Sequence, residues 1–403
     1  MNRSTGSSKP RLQPSNPYGS HATSATSELI DETTDPLRKS SAADDRPKVI
    51  FSGIQPTGIP HLGNYLGALR PWVELQNSSP PATKLIYSIV DLHALTVPHE
   101  AAVLRRRKRE TLAVLLAVGL DPERSIIFYQ SAVAAHTELM WMLSCSSTIG
   151  YLSRMTQWKT KVAQRDTTTA TAIGAGSQQR LGLFSYPVLQ AADILVHGAT
   201  HVPVGEDQVQ HLEFARDLAG RFNAEHGSSL PLPQTLVSAP GKRIMSLRTP
   251  SVKMSKSHGQ ESSRILVTDS RATIEKKIKN ALTDSEDGIG FDPARRPGVS
   301  NLVLLVATMR DVPIDEVVRD CQSLTLRAFK DHVARILADG LDPIRHRFGE
   351  LLGDGHGEGE YGGEGRRWED ERARLADIAQ RGAQKARENA ETTMREISSF
   401  GGG

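Results

Sequence analysis

The apolar positions change period several times along this chain, and each change marks an element. Lys48-Val49-Ile50-Phe51 is a short run of β-branched and aromatic residues, which predicts a buried strand. Lys84–Val90 and Ser125–Tyr129 repeat that pattern, Val202-Pro203-Val204 is a shorter case, and Leu236-Val237 predicts the last strand. Between these runs the apolar residues fall three and four apart, the helical period. Leu62, Leu66 and Leu69 open a helix near His61, and Pro71 predicts a kink or break in it, because its ring would crowd the carbonyl of Gly67. Further helices are expected over 98–118, 136–145 and 150–164, then over Tyr186–His197 after Pro187, and again from Gly205-Glu206-Asp207-Gln208. Strands alternating with helices predict a parallel α/β sheet. From about 271 only the helical period persists, over Ala272–Leu282, Ser300–Met309, Ile314–Cys321, Leu326–Leu337 and Trp368–Ile397. Two stretches break the pattern: 165–180 is polar and small, hence a mobile loop, and 353–365 is rich in Gly and Glu, hence a flexible insertion.

Composition sharpens this at a few points. The formal net charge is +3 over 403 residues, so any nucleic-acid site must be a local patch. The basic run Arg105-Arg106-Arg107-Lys108-Arg109 reads as a solvated helix face. Apolar runs such as Leu112–Leu120 are too short to span a bilayer, so no membrane segment is expected. Cys145 and Cys321 are the only cysteines; they supply neither a zinc set nor a disulfide framework, and a reducing compartment is expected. Positions 1–27 hold ten Ser or Thr, the basic residues Arg3, Lys9 and Arg11, and no acid. That bias is the one transit peptides show, although 28–47 turn acidic and a disordered, solvated tail is the alternative. The reading leans to mitochondrial import, with 1–47 as the tail.

Two stretches carry chemistry. After the first strand, Gly53, Pro56, Gly58 and Pro60 punctuate a tight loop that leads into the helix at His61. Strand, glycine loop and helix start form the arrangement in which a Rossmann-like domain receives phosphate, using unpaired N–H groups and the positive dipole end. The loop is neither GxGxxG nor GxxxxGK[ST], so the dinucleotide and P-loop readings do not apply directly. The second stretch is Lys253-Met254-Ser255-Lys256-Ser257, where two ammonium groups three residues apart suit a departing pyrophosphate. Taken singly, His61 could merely cap its helix and the lysine loop could be solvated. Their positions join them: one follows the first α/β segment and the other follows the last, and in such a sheet both can reach the switch point.

His61-Leu62-Gly63-Asn64 resembles the HIGH signature of class I aminoacyl-tRNA synthetases, with the final Asn typical of the tryptophanyl branch, and Lys253–Ser257 resembles their KMSKS motif. FSGIQPTG, GNYLGAL, VDLHA, RMTQWK, YPVLQAADIL, VPVGEDQ, RIMSL and TDSEDG follow in the order familiar from bacterial-type and mitochondrial tryptophanyl-tRNA synthetases. The resemblance runs from about Lys48 to the C-terminus. It implies an α/β fold: a Rossmann-like parallel-sheet catalytic domain over 48–268 and a C-terminal all-helical anticodon-binding domain over 269–403. It also implies ATP carrying Mg2+, no structural metal, L-tryptophan and tRNA(Trp) as partners, a homodimer, and the mitochondrial matrix.

Residue by residue, the resemblance makes His61, Asn64, Lys253 and Lys256 catalytic. Gln55, Pro56 and Thr57 would line the nucleotide, and Gly63 and Asn64 with His61 its phosphates. Gly205, Glu206 and Asp207 would sit at the adenosine side, Ile244 near the adenine, and Met254, Ser255 and Ser257 in the phosphate loop. Asp193 resembles the carboxylate that accepts the indole N–H, tryptophan's only polar side-chain handle. Tyr186, Gln190, Ile194, Val204, Gln208, Phe51 and Gly53 would complete the amino-acid pocket, with His93 at its periphery. Lys276, Lys277 and Lys279 are candidate tRNA phosphate contacts. Two positions depart from the pattern: His258 stands where Asp is usual, and Gln190 where many bacterial members have Met. Tyrosyl specificity, a nucleotidyl transferase that uses no tRNA, and a non-catalytic RNA-binding relative are the alternatives.

Overall fold

Five parallel strands lie in the order β3-β2-β1-β4-β5 in the computed structural model: β1 (Val49–Ile54), β2 (Lys84–Ile89), β3 (Ile126–Tyr129), β4 (His201–Val204) and β5 (Gln234–Val237). The structure describes residues 47–155, 180–205, 208–237, 243–256, 260–352 and 366–398. The expectations on 1–46, on most of 150–180, on 353–365 and on Glu206, Asp207, Ser257 and His258 therefore lie outside the described residues.

Alternation along the strands builds a core on each face of the sheet. Ile50, Leu85, Tyr87 and Ile127 belong to one buried cluster, and their neighbours Phe51, Ile86 and Phe128 to the other. The first cluster takes in α2 (Arg70–Ser78), α4 (Ala101–Ala117), α10 (Pro297–Arg310) and α12 (Leu326–Leu352). The second takes in α5 (Ala135–Ser146), α7 (Leu181–Leu195) and α8 (Val209–His226). The remaining helices are α1 (Leu62–Asn64), α3 (Asp91–Ala94), α6 (Ile149–Arg154), α9 (Arg271–Lys279), α11 (Ile314–Cys321) and α13 (Arg366–Ser398). Residues on both sides of position 269 supply both clusters, and α13 passes from Leu375 and Ala379 in the first to Ala383, Ala386 and Ala390 in the second. It packs on β3, the strand at the sheet's end, and so covers an edge that would otherwise be open to pairing.

Three elements differ from the sequence expectations. The break at Pro71 is a π-helical turn, Tyr65–Leu69, closed by the Arg70 N–H bonding the Tyr65 carbonyl. Widening the turn lets Pro71 enter at the start of α2 without a conventional bond to Gly67. The helix expected from Tyr186 begins five residues earlier, at Leu181, with Pro187 inside it and buried. Burial of Val188, Leu189, Ala191, Ala192, Ile194 and Leu195 outweighs the one backbone bond that Pro187 cannot make. The helix from Leu326 runs on to Leu352, because the apolar stripe continues through Leu341, Ile344 and Leu351 in spite of Pro343.

Candidate active site

The order of the strands places the switch point between β1 and β4. Those two strands pair only at Ile50↔His201. Beyond that pair, Phe51, Ser52 and Gly53 of β1 with Gln55 just after it, and Val202–Val204 of β4 with Gly205 just after it, line one cavity of about 350 Å³. Its wall also holds His93, Tyr186, Gln190, Asp193, Ile194 and Gln208, with Gly67, Ala68 and Pro71 from the π turn and α2. Such a volume suits a small ligand. Gly53 is needed here, since a Cβ would stand 2.9 Å from Val90 Cγ1.

Asp193 is the buried charge at this wall, 2% exposed. His93 Nε2 reaches its Oδ2 at 2.8 Å, while Gln130 Nε2 at 2.6 Å and His136 Nδ1 at 2.7 Å share Oδ1. Burial opposes ionisation of this carboxyl, but the hydrogen bonds from His136 and His93 outweigh it and hold the group well below the usual carboxylate range. A carboxylate offers about four lone-pair sites, and these contacts take three. His93 is therefore part of the cavity's polar wall and not its periphery: α3 turns it inward off the end of β2. Behind it Tyr186 Oη lies 2.9 Å from His211 Nε2, and Gln190 donates to Gln208 at 3.2 Å.

A second constellation stands at the start of α1. His61 caps that helix: its Nδ1 accepts the Asn64 N–H at 3.2 Å, and Asn64 Oδ1 accepts the His61 N–H at 3.2 Å. Burial, then the charges of Lys256, Arg264 and Lys253, lowers the His61 pKa to about 4, so the ring is neutral at pH 7. With Nδ1 accepting, the ring proton sits on Nε2, a donor left for an anion. Gly63 lies against this ring, where a Cβ would come 3.1 Å from His61 Cε1 and Nδ1 and 3.6 Å from Ile244 Cβ.

The two motifs, far apart in sequence, are joined by backbone. Leu62 N donates to Ile265 O at 2.7 Å and Val267 N to Pro60 O at 3.1 Å, which ties the first loop to the chain just past the lysine loop. Met254 N bonds Ile244 O, and Asn301 of α10 clamps both backbone groups of Met245. Lys256 Nζ then reaches Gly58 O at 2.6 Å and Thr57 Oγ1 at 3.4 Å. Burial, followed by the Arg107 and Arg264 charges, lowers its pKa to about 8.

The sequence reading missed Gln130, His136 and His197, polar side chains within otherwise apolar helical or strand-end runs, with no motif to flag them. It also took Arg105–Arg109 as solvent-facing throughout. Arg105, Arg106 and Arg109 are exposed, but Lys108 pairs with buried Asp91, and Arg107 turns toward the first loop, its Nε within 3.9 Å of where a Gly58 Cβ would be. In the C-terminal helices Lys277 is held by Asp269 at 2.5 Å, leaving Lys276 and Lys279 exposed.

The chain is similar to known proteins. Residues 43–341 match the family described as tRNA synthetases class I (W and Y). The chain is 40% identical over 359 residues to the mitochondrial tryptophan–tRNA ligase of Schizosaccharomyces pombe, covering 88% of this chain and 95% of that one. It is 45% identical over 308 residues to the tryptophan–tRNA ligase of Gloeobacter violaceus, covering 76% and 87%. A crystal structure of Campylobacter jejuni tryptophanyl-tRNA synthetase complexed with ADP and tryptophan superposes with a TM-score of 0.69 at 29% identity, over 87% of this chain and 98% of that one. The parallel sheet, the cavity at its switch point and the paired His61 and Lys256 loops are those of a chain that belongs to the class I tRNA synthetases of the tryptophan and tyrosine family.

Proposed function

We propose that this chain is an ATP-dependent tryptophan–tRNA ligase: it joins L-tryptophan to ATP as tryptophanyl-adenylate, releasing pyrophosphate, and then transfers the tryptophanyl group to tRNA(Trp). The observation that carries the reading is the buried carboxylate of Asp193, with one acceptor site left, on the wall of a cavity beside the His61 and Lys256 loops. The relatives named as tryptophan–tRNA ligases and the likeness to a complex with ADP and tryptophan support it.

In the first step a tryptophan carboxylate oxygen attacks the ATP α-phosphorus, and the bond from that phosphorus to the bridging oxygen breaks. The electron pair leaves with pyrophosphate. The carboxylate is already a competent nucleophile, so the protein's part is orientation and charge stabilisation. Asp193 accepts the indole N–H, while Phe51, Gly53, His93, Tyr186, Gln190, Ile194, Val204 and Gln208 shape the pocket. His61 Nε2–H, the backbone at Gly63 and the Asn64 side chain address the phosphates, with Gln55, Pro56 and Thr57 along the nucleotide. Gly205 stands at the adenosine side and Ile244 against the adenine. Lys253 and Lys256, with Met254 and Ser255 between them, take the growing charge of the pyrophosphate.

Among the described residues no group of three or more His, Cys, Asp or Glu could hold a metal. Mg2+ is read as entering with the nucleotide, since it usually binds through substrate phosphates and not in an all-protein cage. Trp141 at 73% exposure, Ile149 at 74% and Leu181 at 77% put large apolar side chains on neighbouring α5, α6 and α7, which supports a homodimer formed through that face. Sedimentation of Trp141→Glu as a monomer checks it. The helices after 269 are read as the anticodon-binding part, with Lys276 and Lys279 free to meet phosphate. The mitochondrial matrix is supported by the acid-free, hydroxyl-rich first 27 residues and by the S. pombe relative.

The test is amino-acid-dependent ATP–pyrophosphate exchange, with tryptophan and tyrosine in parallel, on the wild type and Asp193→Ala. Exchange driven by tryptophan alone, and lost in the variant, is the expected result. Exchange with tyrosine overturns the specificity, and exchange with neither overturns the catalytic reading.

A further inference from the structure

Within the basic run of α4, Arg107 stands apart. Arg105 and Arg109 are exposed, Arg106 pairs with Glu110 at 3.3 Å, and Lys108 pairs with buried Asp91. Arg107 is half-buried; Thr111 Oγ1 donates to its backbone carbonyl at 2.8 Å, and its guanidinium meets no acceptor among the described residues. A guanidinium drawn partly out of water is best stabilised by an anion or by several acceptors.

The direction of this side chain is set by its helix. Lys108, one residue on, is held at the end of β3 by Asp91, by Ser131 Oγ at 3.4 Å and by the Tyr129 ring, whose centroid is 4.6 Å away. The next turn, Thr111–Leu115, is wholly buried. With α4 so fixed, Arg107 faces the first loop. Were Gly58 to carry a Cβ, Arg107 Nε, 3.9 Å away, would be its one close neighbour beyond the adjoining residues. The space over Gly58 is otherwise open. Lys256 Nζ reaches the carbonyl oxygen of the same glycine at 2.6 Å and Thr57 Oγ1 at 3.4 Å. Two cations, one from a helix and one from the lysine loop, therefore border a single residue. The Arg107 charge is, after burial, the largest cause of the lowered Lys256 pKa; Glu110 acts in the opposite sense but is paired with Arg106. Like charges brought together repel, and a polyanion bound by both relieves the repulsion. A pair of linked phosphates suits the two head groups, since a guanidinium grips a phosphate as a fork and an ammonium as a point charge.

We propose that Arg107 is a further phosphate-binding residue: its guanidinium takes the β- and γ-phosphates of ATP, and the pyrophosphate they become, together with Lys256 at Gly58. The proposal rests on the tryptophan–tRNA ligase reading above. Negative charge grows on these two phosphates as the bond to the α-phosphorus breaks, so Arg107 acts on the leaving group and not on the amino acid or the adenosine. Its place on a helix with a buried next turn sets the charge in position before the ligand arrives.

The experiment measures binding of ATP, AMP and tryptophan by calorimetry, and the KM for pyrophosphate in tryptophan-dependent exchange, on the full chain and on Arg107→Met. Methionine keeps an unbranched arm and removes the charge and the fork. The affinity for ATP is expected to fall about ten-fold and the KM for pyrophosphate to rise about ten-fold, the scale of one charge-assisted contact. AMP and tryptophan, which carry neither of the two outer phosphates, should bind within about two-fold of the wild type. Arg107→Lys keeps the charge and should recover part of the loss. Arg106→Met removes an exposed charge one residue away and should leave all four values unchanged. A Met variant at position 107 with wild-type ATP affinity and pyrophosphate KM overturns the proposal. Equal losses for AMP and ATP also overturn it, because they mark a residue that only props up the first loop. An equal effect from Arg106→Met does so too, by assigning the loss to the general charge of α4. Should Arg107→Met not fold, Arg107→Gln, with a polar arm of similar reach, carries the same expectations. A wild type without tryptophan-driven exchange strikes the ligase reading itself, whereas a wild type that exchanges beside an indifferent Arg107 variant strikes only Arg107.

Discussion

Lys256 is charged enough at neutral pH to meet pyrophosphate, yet its pKa near 8 places its titration inside the working range. The sign is that of a lysine pushed down by burial and by the Arg107 and Arg264 charges: as pH rises through about 8 the free protein loses the cation. The parameter kcat/KM for ATP, which reports the free protein, should therefore fall above that pH. In Lys256→Arg, whose guanidinium stays charged, the high-pH fall should disappear even if the plateau is lower. A pH profile that breaks at the same place in both proteins would assign the break to another group. Gly63 offers a second test at this scale. A methyl at Gly63 meets the His61 ring 3.1 Å away, so the ring must give by a few tenths of an ångström, which strains its bond with the Asn64 N–H. Gly63→Ala should lose about ten-fold or more in kcat/KM for ATP, since catalytic geometry tolerates little displacement, while tryptophan binding followed by fluorescence is retained.

Helices and strands were legible wherever one period dominated. Ile314–Cys321 was read to the residue and the strand at 126–129 to within one, because the alternation serves two cores at once, while the strand at 49–54 runs three residues past the Phe51 read from the sequence. Of the two prolines, one acted as read and the other did not. Pro71 does interrupt its helix, but as a π turn whose Gly67 and Ala68 line the cavity; Pro187 interrupts nothing, because so much of α7 is buried. No periodicity revealed that α13 would lie on the sheet's end strand. That contact depends on a glycine: a Cβ at Gly382 would fall 1.8 Å from the Ile127 carbonyl oxygen of β3. The obstacle is backbone, so either α13 or β3 must shift. Gly382→Ala is expected to destabilise by about 2–3 kcal/mol in urea unfolding, at the upper end of the usual overpacking cost. Gly220, in α8 with nothing within 4 Å of its would-be Cβ, is the control. Gly220→Ala should stabilise by about 0.5–1 kcal/mol, since alanine loses less backbone freedom in a helix. Equal effects at the two glycines would show that helix propensity, and not the contact with Ile127, governs both.

Across the whole molecule, the legible part of the site was the part written in consecutive residues. Loops such as Gly53–Gly63 and Lys253–Ser257 carry their chemistry in order, and each could be found before any fold was known. The Asp193 network could not: Gln130, His136, His197 and Asn389 come from separate elements, and each alone looks like an isolated polar residue. Buried histidines of this kind give the molecule a further property. His61 and His197 remain neutral in the folded protein down to about pH 4 and about pH 3, while an unfolded chain protonates them near its ordinary value of 6.5. Between those limits the unfolded state binds more protons than the native state, so stability must rise with pH, or equivalently fall as pH drops from 6.5 toward 4. Each imidazole contributes up to about 1.4 kcal/mol per pH unit across that window. Asp193 does not enter there, because its unfolded carboxyl titrates only near 3.8, below most of the window. Urea unfolding at about pH 7 and about pH 5 should show the decline, and His197→Phe, which cannot take up a proton when unfolded, should flatten it by up to that amount per unit. The variant also removes the bonds to His136 and Asn389, so its stability at pH 7 is expected to be lower; the slope, not the intercept, carries the prediction. A wild-type stability that stays level over this range would mean that the two rings take up protons in the folded protein as readily as in the unfolded one, and that the burial around His61 and His197 opens to solvent on acidification.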